Sequence, residues 1–153
     1  MFRVITANTN GIRSAAKKGF FDWLQTQNAD VVCIQETKAQ RDQLEHEMFC
    51  PAGYHCHYFD AEKKGYSGTA LFSKREPDRV ITGLGWPSAD TEGRYLQADF
   101  GALSVVSLYL PSGSSSEQAQ QKKFDFLDRY LPVLKQQAQD GRDYIVCGDW
   151  NIA

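Results

Sequence analysis

No stretch of this 153-residue sequence approaches the about eighteen consecutive apolar residues that a membrane-spanning helix needs. The opening MFRVITANTN has no charged leader, long apolar core or small-residue cleavage site. No membrane partner is expected, and cytoplasmic residence is the default. Basic residues are not in excess: 17 Lys and Arg face 19 Asp and Glu, for a net charge of −2. That balance argues against a protein holding nucleic acid by bulk electrostatics alone. The basic clusters (Arg13, Lys17 and Lys18; Lys63 and Lys64; Lys74 and Arg75; Lys122 and Lys123) each read as solvated surface.

Cysteine is sparse as well. There are four, with no C-x-x-C spacing, and nothing argues for an oxidising compartment. Cys33 and Cys147 lie inside the apolar runs VVCI and YIVC, where a free thiol acts as a small hydrophobe. CPAGYHCHY offers Cys50, His55, Cys56 and His57 as a thiol–imidazole zinc set. Yet the two histidines flank Cys56 in what reads as a half-exposed polar strand, with Cys50 off-pattern. Linker composition, repeats and low-complexity tracts are missing too, so residues 1–153, with 42% hydrophobic content, read as a portion of one domain with one core.

What is present is a mixed order of short strands and amphipathic helices. FRVITA is β-rich. In IRSAAKKGFFDWLQTQ, residues Ile12, Ala16, Phe20 and Leu24, with Ala15 and Trp23, predict one continuous helical face. ADVVCIQE is an apolar run ending in a carboxylate, the pattern of a strand covered on both faces. RDQLEHEMF predicts a short helix. YHCHYF, GTALFSK, RVITGL, RYLQADFG and LSVVSLYL predict strands, with a tight hairpin at DFGALS. A serine ahead of Glu117 or Gln118 caps a longer helix whose predicted buried stripe is Phe124, Leu127, Leu131, Leu134 and Ala138, with a kink at Pro132. YIVCGDWN closes the series. Helices separate some strands and hairpins join others, which gives a layered α/β or α+β domain.

The chemistry lies where the strands end. Asn8 ends one, Glu36 another, Tyr109 a third, and Asp149 with Asn151 a fourth. Sheets with helical crossovers gather their sites at the carboxyl ends of strands. Any one of these residues alone reads as a turn or an exposed end; four together point to an active site. Glu36 and Asp149 are hard oxygen donors suited to Mg²⁺, with Mn²⁺ as an alternative. A divalent ion beside a carboxylate and an amide fits hydrolysis of a phosphate ester.

The segments ITANTNGIRSA, VVCIQETKA, KGYSGTALFSK, EGRYLQADF, SLYLPSGSS and IVCGDWNIA together resemble the exodeoxyribonuclease III and apurinic/apyrimidinic endonuclease branch of the endonuclease/exonuclease/phosphatase superfamily. The resemblance covers the whole chain. It implies a Mg²⁺-dependent nuclease of base-excision repair, acting on duplex DNA at an abasic site or a 3′ end, with monomeric full-length members. By resemblance, Glu36 binds the metal, with Asn8 and, in first or second shell, Asn10 beside it. The family often has aspartate at the place of Asn10. Asp149 orients or deprotonates the attacking water, or binds a second ion. Asn151 and Tyr109 hold the scissile phosphate, Asn151 also standing among the metal-site residues. Lys38 supports the Glu36 loop. Tyr66, Ser67, Gly68, Arg94 and Ser112 fall where the family touches the DNA backbone.

The same resemblance implies a four-layer α/β/β/α sandwich whose second half lies outside this sequence, with a second strand-end aspartate and a closing S-D-H. The 153 residues alone are therefore expected to be catalytically silent. They are also expected to expose an apolar sheet face, because Leu103 and Val105 point one way while Val106, Leu108 and Leu110 point the other. The alternative is a non-catalytic nucleic-acid-binding regulator related to these nucleases. Retention of Glu36, Asp149 and Asn151 argues against it, as a pure binder has no need of them.

Overall fold

The computed structural model describes residues 1–152. The first sheet is built from β1 (Val4–Asn8), β2 (Val31–Gln35), β3 (His55–Phe59) and β4 (Thr69–Ser73), in the order β1-β2-β4-β3. The second is built from β5 (Arg79–Thr82), β6 (Tyr95–Phe100), β7 (Leu103–Tyr109) and β8 (Asp143–Asp149), in that order. Each sheet combines one parallel pair, reached by a helical crossover, with antiparallel strands beyond it. β1 and β2 are joined through α1 (Ile12–Lys17) and α2 (Phe20–Gln27), and β7 and β8 through α4 (Glu117–Gln137). A one-turn α3 (Pro87–Asp90) precedes β6.

Three apolar layers explain the stacking. Val32, Ile34, Ala70 and Phe72 on the outer face of the first sheet pack with Ile12, Phe21 and Leu24 of α1 and α2. Val31, Cys33 and Leu71 on its inner face meet Leu96, Ala98 and Val105 of the second sheet. Val106 and Leu108, on the outer face of the second sheet, pack with Phe126 and Tyr130 of α4. β2 and β7 are thus buried on both faces, which is why their sequences are continuous apolar runs. Removing a side chain such as Phe72, 0% exposed, from water is worth about 2–3 kcal/mol on area grounds.

Several expectations are corrected. The second face of β7 does not await a sheet from elsewhere: α/β/β/α layering is already present within these residues, and β2 and β7 cover each other. What stays unpaired is the sheet edges, where β3 and β5, like β1 and β8, have a single strand neighbour. β1 and β8 lie over each other on one side of the sandwich, the side of Ile145 on β8 itself; Phe2, Trp23, Phe124 and Leu131 are exposed as well. The predicted first helix is two helices, because Gly19 adopts a left-handed φ of 90° that a side chain would resist. The break turns Phe21 inward and Trp23 outward. RDQLEHEMF forms two 3₁₀ turns, Arg41–Gln43 and Glu47–Phe49.

On α4, the Ser116 hydroxyl caps as expected by accepting from the Ala119 amide at 3.0 Å. The buried stripe, however, runs through Phe126 and Tyr130, leaving Phe124 and Leu131 at 47% and 51% exposure and Ala138 exposed. The helix continues through Pro132 without a break in the element. Cys50 and Cys56 are joined as a disulfide, so neither thiolate of the CPAGYHCHY stretch is free to ligate a metal. Loop closure of this kind is readable only once the strand brings the two Cα atoms to 5.7 Å.

Candidate active site

The two parallel pairs end on the same side of the sandwich. Asn8 is the register partner of Gln35 on the first sheet, and Tyr109 that of Asp149 on the second. Glu36 follows Gln35 directly. The residues from the two sheets meet: Tyr109 Oη donates to Glu36 Oε1 at 2.6 Å. Asn8 Nδ2 donates both to Glu36 Oε1 at 3.2 Å and to Asp149 Oδ2 at 2.8 Å. One amide thus holds two carboxylates, one from each sheet.

The loops around these strand ends are tied to each other. Gly11 and Ile12 amides donate to the Glu36 and Thr37 carbonyls at 2.7 and 2.9 Å. Lys38 Nζ lies 3.2 Å from Glu36 Oε2 and donates to Asn10 Oδ1 at 2.6 Å. Among the described residues, six other than glycine have positive φ, and five ring this site: Asn10, Glu36, Lys38, Ser67 and Asn151, at 45–52°. Such backbone is costly for L-residues, and clusters at functional sites where surrounding contacts hold it.

Asn8 and Asn151 are more committed than their sequence roles imply. The Asn8 side-chain carbonyl accepts from the Asn10 amide at 2.9 Å. Asn151 donates its side-chain amide to the Leu110 carbonyl at 2.7 Å, and its backbone amide to Asp149 Oδ1 at 2.9 Å. Both therefore brace the carboxylates. The carboxylates themselves are the hard donors of the set.

The residues assigned to DNA contact divide. Ser112 is exposed on the loop before α4, its hydroxyl 3.0 Å from that of Ser114. Tyr66 is half-buried, with Lys63 Nζ 5.1 Å from its ring centroid. Ser67 and Gly68 are buried, and their carbonyls accept from the Lys38 and Thr37 amides at 2.9 and 3.2 Å, so this turn supports the Glu36 loop. A Cβ on Gly68, at φ 88°, would collide with Thr37 Oγ1. Arg94 requires correction: it is 2% exposed and faces inward. Its guanidinium donates to the Tyr109 carbonyl at 3.1 Å, Tyr66 Oη at 3.0 Å and Glu92 Oε2 at 2.7 Å. It also lies 4.9 Å from the Tyr109 ring centroid. It is a brace for Tyr109.

Electrostatics follow from these contacts. Burial pushes the Glu36 carboxyl up, but hydrogen bonds from Tyr109, Asn8 and Lys38 outweigh it, holding the group below its ordinary value. Burial and then the adjacent Glu36 push the Tyr109 phenol well above its ordinary value, with Arg94 opposing. The phenol is a permanent donor at neutral pH. Sequence reasoning missed Gln35, Ser107, Glu92 and Lys122. Glu92 takes both Arg94 and Lys122 of α4. Gln35, in Q-E-T-K, was the one visible signal among them.

A cleft of about 820 Å³ opens beside Asn8, Asp149 and Asn151, bounded by Ser112 and Lys123. Among the described residues no group of three His, Cys, Asp or Glu forms a cage. Two carboxylates from facing strand ends, with room for water, fit the binding habit of Mg²⁺, which keeps several waters and takes one or two protein carboxylates.

Residues 5–153 match the model of the Endonuclease/Exonuclease/phosphatase family. The chain belongs to the endonuclease/exonuclease/phosphatase family. It is 36% identical over 152 residues to an exodeoxyribonuclease of Bacillus subtilis (strain 168), covering 99% of this chain and 59% of that protein. It is 29% identical over 152 residues to a DNA-(apurinic or apyrimidinic site) endonuclease of Dictyostelium discoideum, covering 99% and 42%. In structure it is similar to an AP endonuclease from Archaeoglobus fulgidus, with TM-score 0.85 and 30% identity, over 100% of this chain and 58% of that one. The chain thus spans about half the length of these family members. Within that span lie the strand-end residues described above.

Proposed function

We propose that this chain supplies the Glu36–Tyr109–Asp149 part of a Mg²⁺-dependent DNA phosphodiesterase of base-excision repair, acting as a 3′→5′ exodeoxyribonuclease, an abasic-site endonuclease, or both. The observation that carries the reading is the junction itself: two carboxylates from separate sheets, bridged by Asn8, with a protonated phenol on one of them. Glu36 and Asp149 would hold the ion, directly or through water, and bound Mg²⁺ supplies Lewis-acid stabilisation of the charge developing on a phosphate.

The remaining chemistry belongs to the chain. Tyr109 donates its hydroxyl proton to Glu36 Oε1 and so fixes that carboxylate at the strand end. Asp149 offers Oδ2 to orient, or accept a proton from, an attacking water. Tyr109, Asn8 and Lys38 together keep Glu36 ionised. Ser112 and Lys123 border the cleft where a phosphodiester backbone would lie, Tyr66 standing beside Lys63 and Glu92 in a separate depression, and duplex DNA with an abasic site or 3′ end is the partner assigned. Because its relatives are about twice as long and its β1 and β8 edges are open, the chain alone is proposed to turn over weakly or not at all.

The test supplies the remaining two-fifths of the Bacillus subtilis relative as a separately expressed segment. Cleavage of an abasic-site duplex and of a recessed 3′ end is then measured with Mg²⁺ and with EDTA. Mg²⁺-dependent cleavage by the reconstituted protein, lost by more than 100-fold in Glu36→Gln and Asp149→Asn, a loss of about 2.7 kcal/mol or more, supports the reading. Equal cleavage by these variants overturns it.

A further inference from the structure

The two carboxylates of the site stand on different sheets, so their separation depends on how the sheets are held together. Directly beneath them the inter-sheet layer changes character. Deeper in the sandwich it is apolar, with Val31 and Cys33 of β2 against Val105 of β7. One residue pair nearer the site, it becomes a hydrogen-bonded contact. Gln35, 1% exposed, donates its Nε2 to Ser107 Oγ at 3.0 Å. The same Ser107 hydroxyl, 0% exposed, donates to the Ile34 carbonyl of β2 at 3.0 Å. Gln35 Oε1 accepts from Thr6 Oγ1 of β1 at 3.3 Å.

These bonds link β1, β2 and β7 inside the sandwich, and they neighbour the functional groups in sequence. Gln35 precedes Glu36, Ser107 lies two residues before Tyr109 on the same strand, and Thr6 lies two before Asn8. An apolar contact is non-directional and tolerates sliding, whereas a buried hydrogen-bond chain fixes both distance and register, and leaves an unsatisfied group when broken. We infer that Gln35 and Ser107 form a clasp that sets the spacing between the two sheets at the site, making Gln35 a positioning residue for the Glu36–Asn8–Asp149 junction. The clasp stands on geometry alone; its catalytic meaning rests on the function proposed above.

The clasp variants are Gln35→Met, which keeps volume and removes the amide, and Ser107→Ala, which leaves the Gln35 Nε2 buried without its partner. They are compared in the 153-residue chain with the double variant. The first readout needs no metal: hydrogen exchange of the Asn8 side-chain amide, followed by ¹⁵N NMR, because that amide spans both sheets. The second is Mn²⁺ affinity by EPR, and thermal melts run alongside. Both single variants are expected to speed Asn8 exchange and to weaken Mn²⁺ binding, each by about tenfold, with Ser107→Ala the more severe. The double variant should be no worse than the worse single, as for residues acting as one unit.

Lowered melting temperatures with wild-type Asn8 exchange and Mn²⁺ affinity would make the contact a packing feature only, and would overturn the inference. If the wild-type chain binds no Mn²⁺, the metal reading fails while the exchange measurement still decides the clasp. Should Gln35→Met not fold, Ser107→Ala decides by the same two criteria.

Discussion

Replacing Arg94 by alanine separates two accounts of the site. As a DNA contact it would weaken binding and leave the protein intact. The structure buries it, with hydrogen bonds to Tyr109, Tyr66 and Glu92 and its guanidinium against the Tyr109 ring. Removing one member of a buried ion pair costs about 3–5 kcal/mol. Glu92 retains Lys122, which offsets part of that loss and places Arg94→Ala near the lower end, at about 3 kcal/mol. For a domain of this size that corresponds to a fall in Tm of roughly 6–12 °C. Arg94→Lys should recover only part, since an ammonium cannot reproduce the fork that reaches three acceptors in fixed directions. Calorimetry or circular dichroism measures the melt. In the reconstituted enzyme the variant should lower kcat through a displaced Tyr109 while the salt dependence of DNA binding stays unchanged. An unaltered Tm, with the salt slope of DNA binding reduced by about one unit, would show that Arg94 meets phosphate directly and would refute the brace.

Tyr109→Phe should leave the fold intact and raise the Glu36 pKa, because the phenol hydrogen bond is the leading contribution lowering it; carboxyl-edited NMR titration would show no change if the bond is absent. Acid stability follows from Glu36, Glu92 and Asp99, all held below their ordinary values by hydrogen bonds and cations that outweigh burial. Depressed carboxylates stabilise above their unfolded pKa values, so Tm should be level near neutrality and fall as pH drops below about 4; a melt unchanged from pH 6 to 3 would contradict the network. Gly148→Ala should destabilise by about 2 kcal/mol or more, since its Cβ would collide with the Leu108 carbonyl; chemical denaturation would detect the loss. With Phe2, Trp23, Phe124 and Leu131 exposed, and Ile145 on the open β8 edge, the chain should self-associate and bind ANS; a monodisperse, ANS-silent monomer by ultracentrifugation would count against this.

Element types were readable in the sequence wherever one signal dominated. The apolar runs of β2 and β7 announced strands buried on both faces, and Ser116 announced the start of α4 through capping chemistry that acts within one turn. The strand-end residues Asn8, Glu36, Tyr109 and Asp149 were legible for the same reason: a polar group closing an apolar run is a local event. What the sequence did not decide was everything fixed by relations between distant segments. Phe126 and Tyr130, rather than Phe124 and Leu131, face the sheet, because helix rotation is chosen by the surface beneath it and periodicity leaves neighbouring stripes nearly equivalent. Arg94 falls at a DNA contact by family resemblance, and only the approach of Tyr66, Glu92 and Tyr109 makes its burial affordable in free energy. The partnership of Gln35 with Ser107, 72 residues apart, exists only because two sheets stack. The strand-end chemistry was encoded locally, while the distances that let those groups act together were set by tertiary packing.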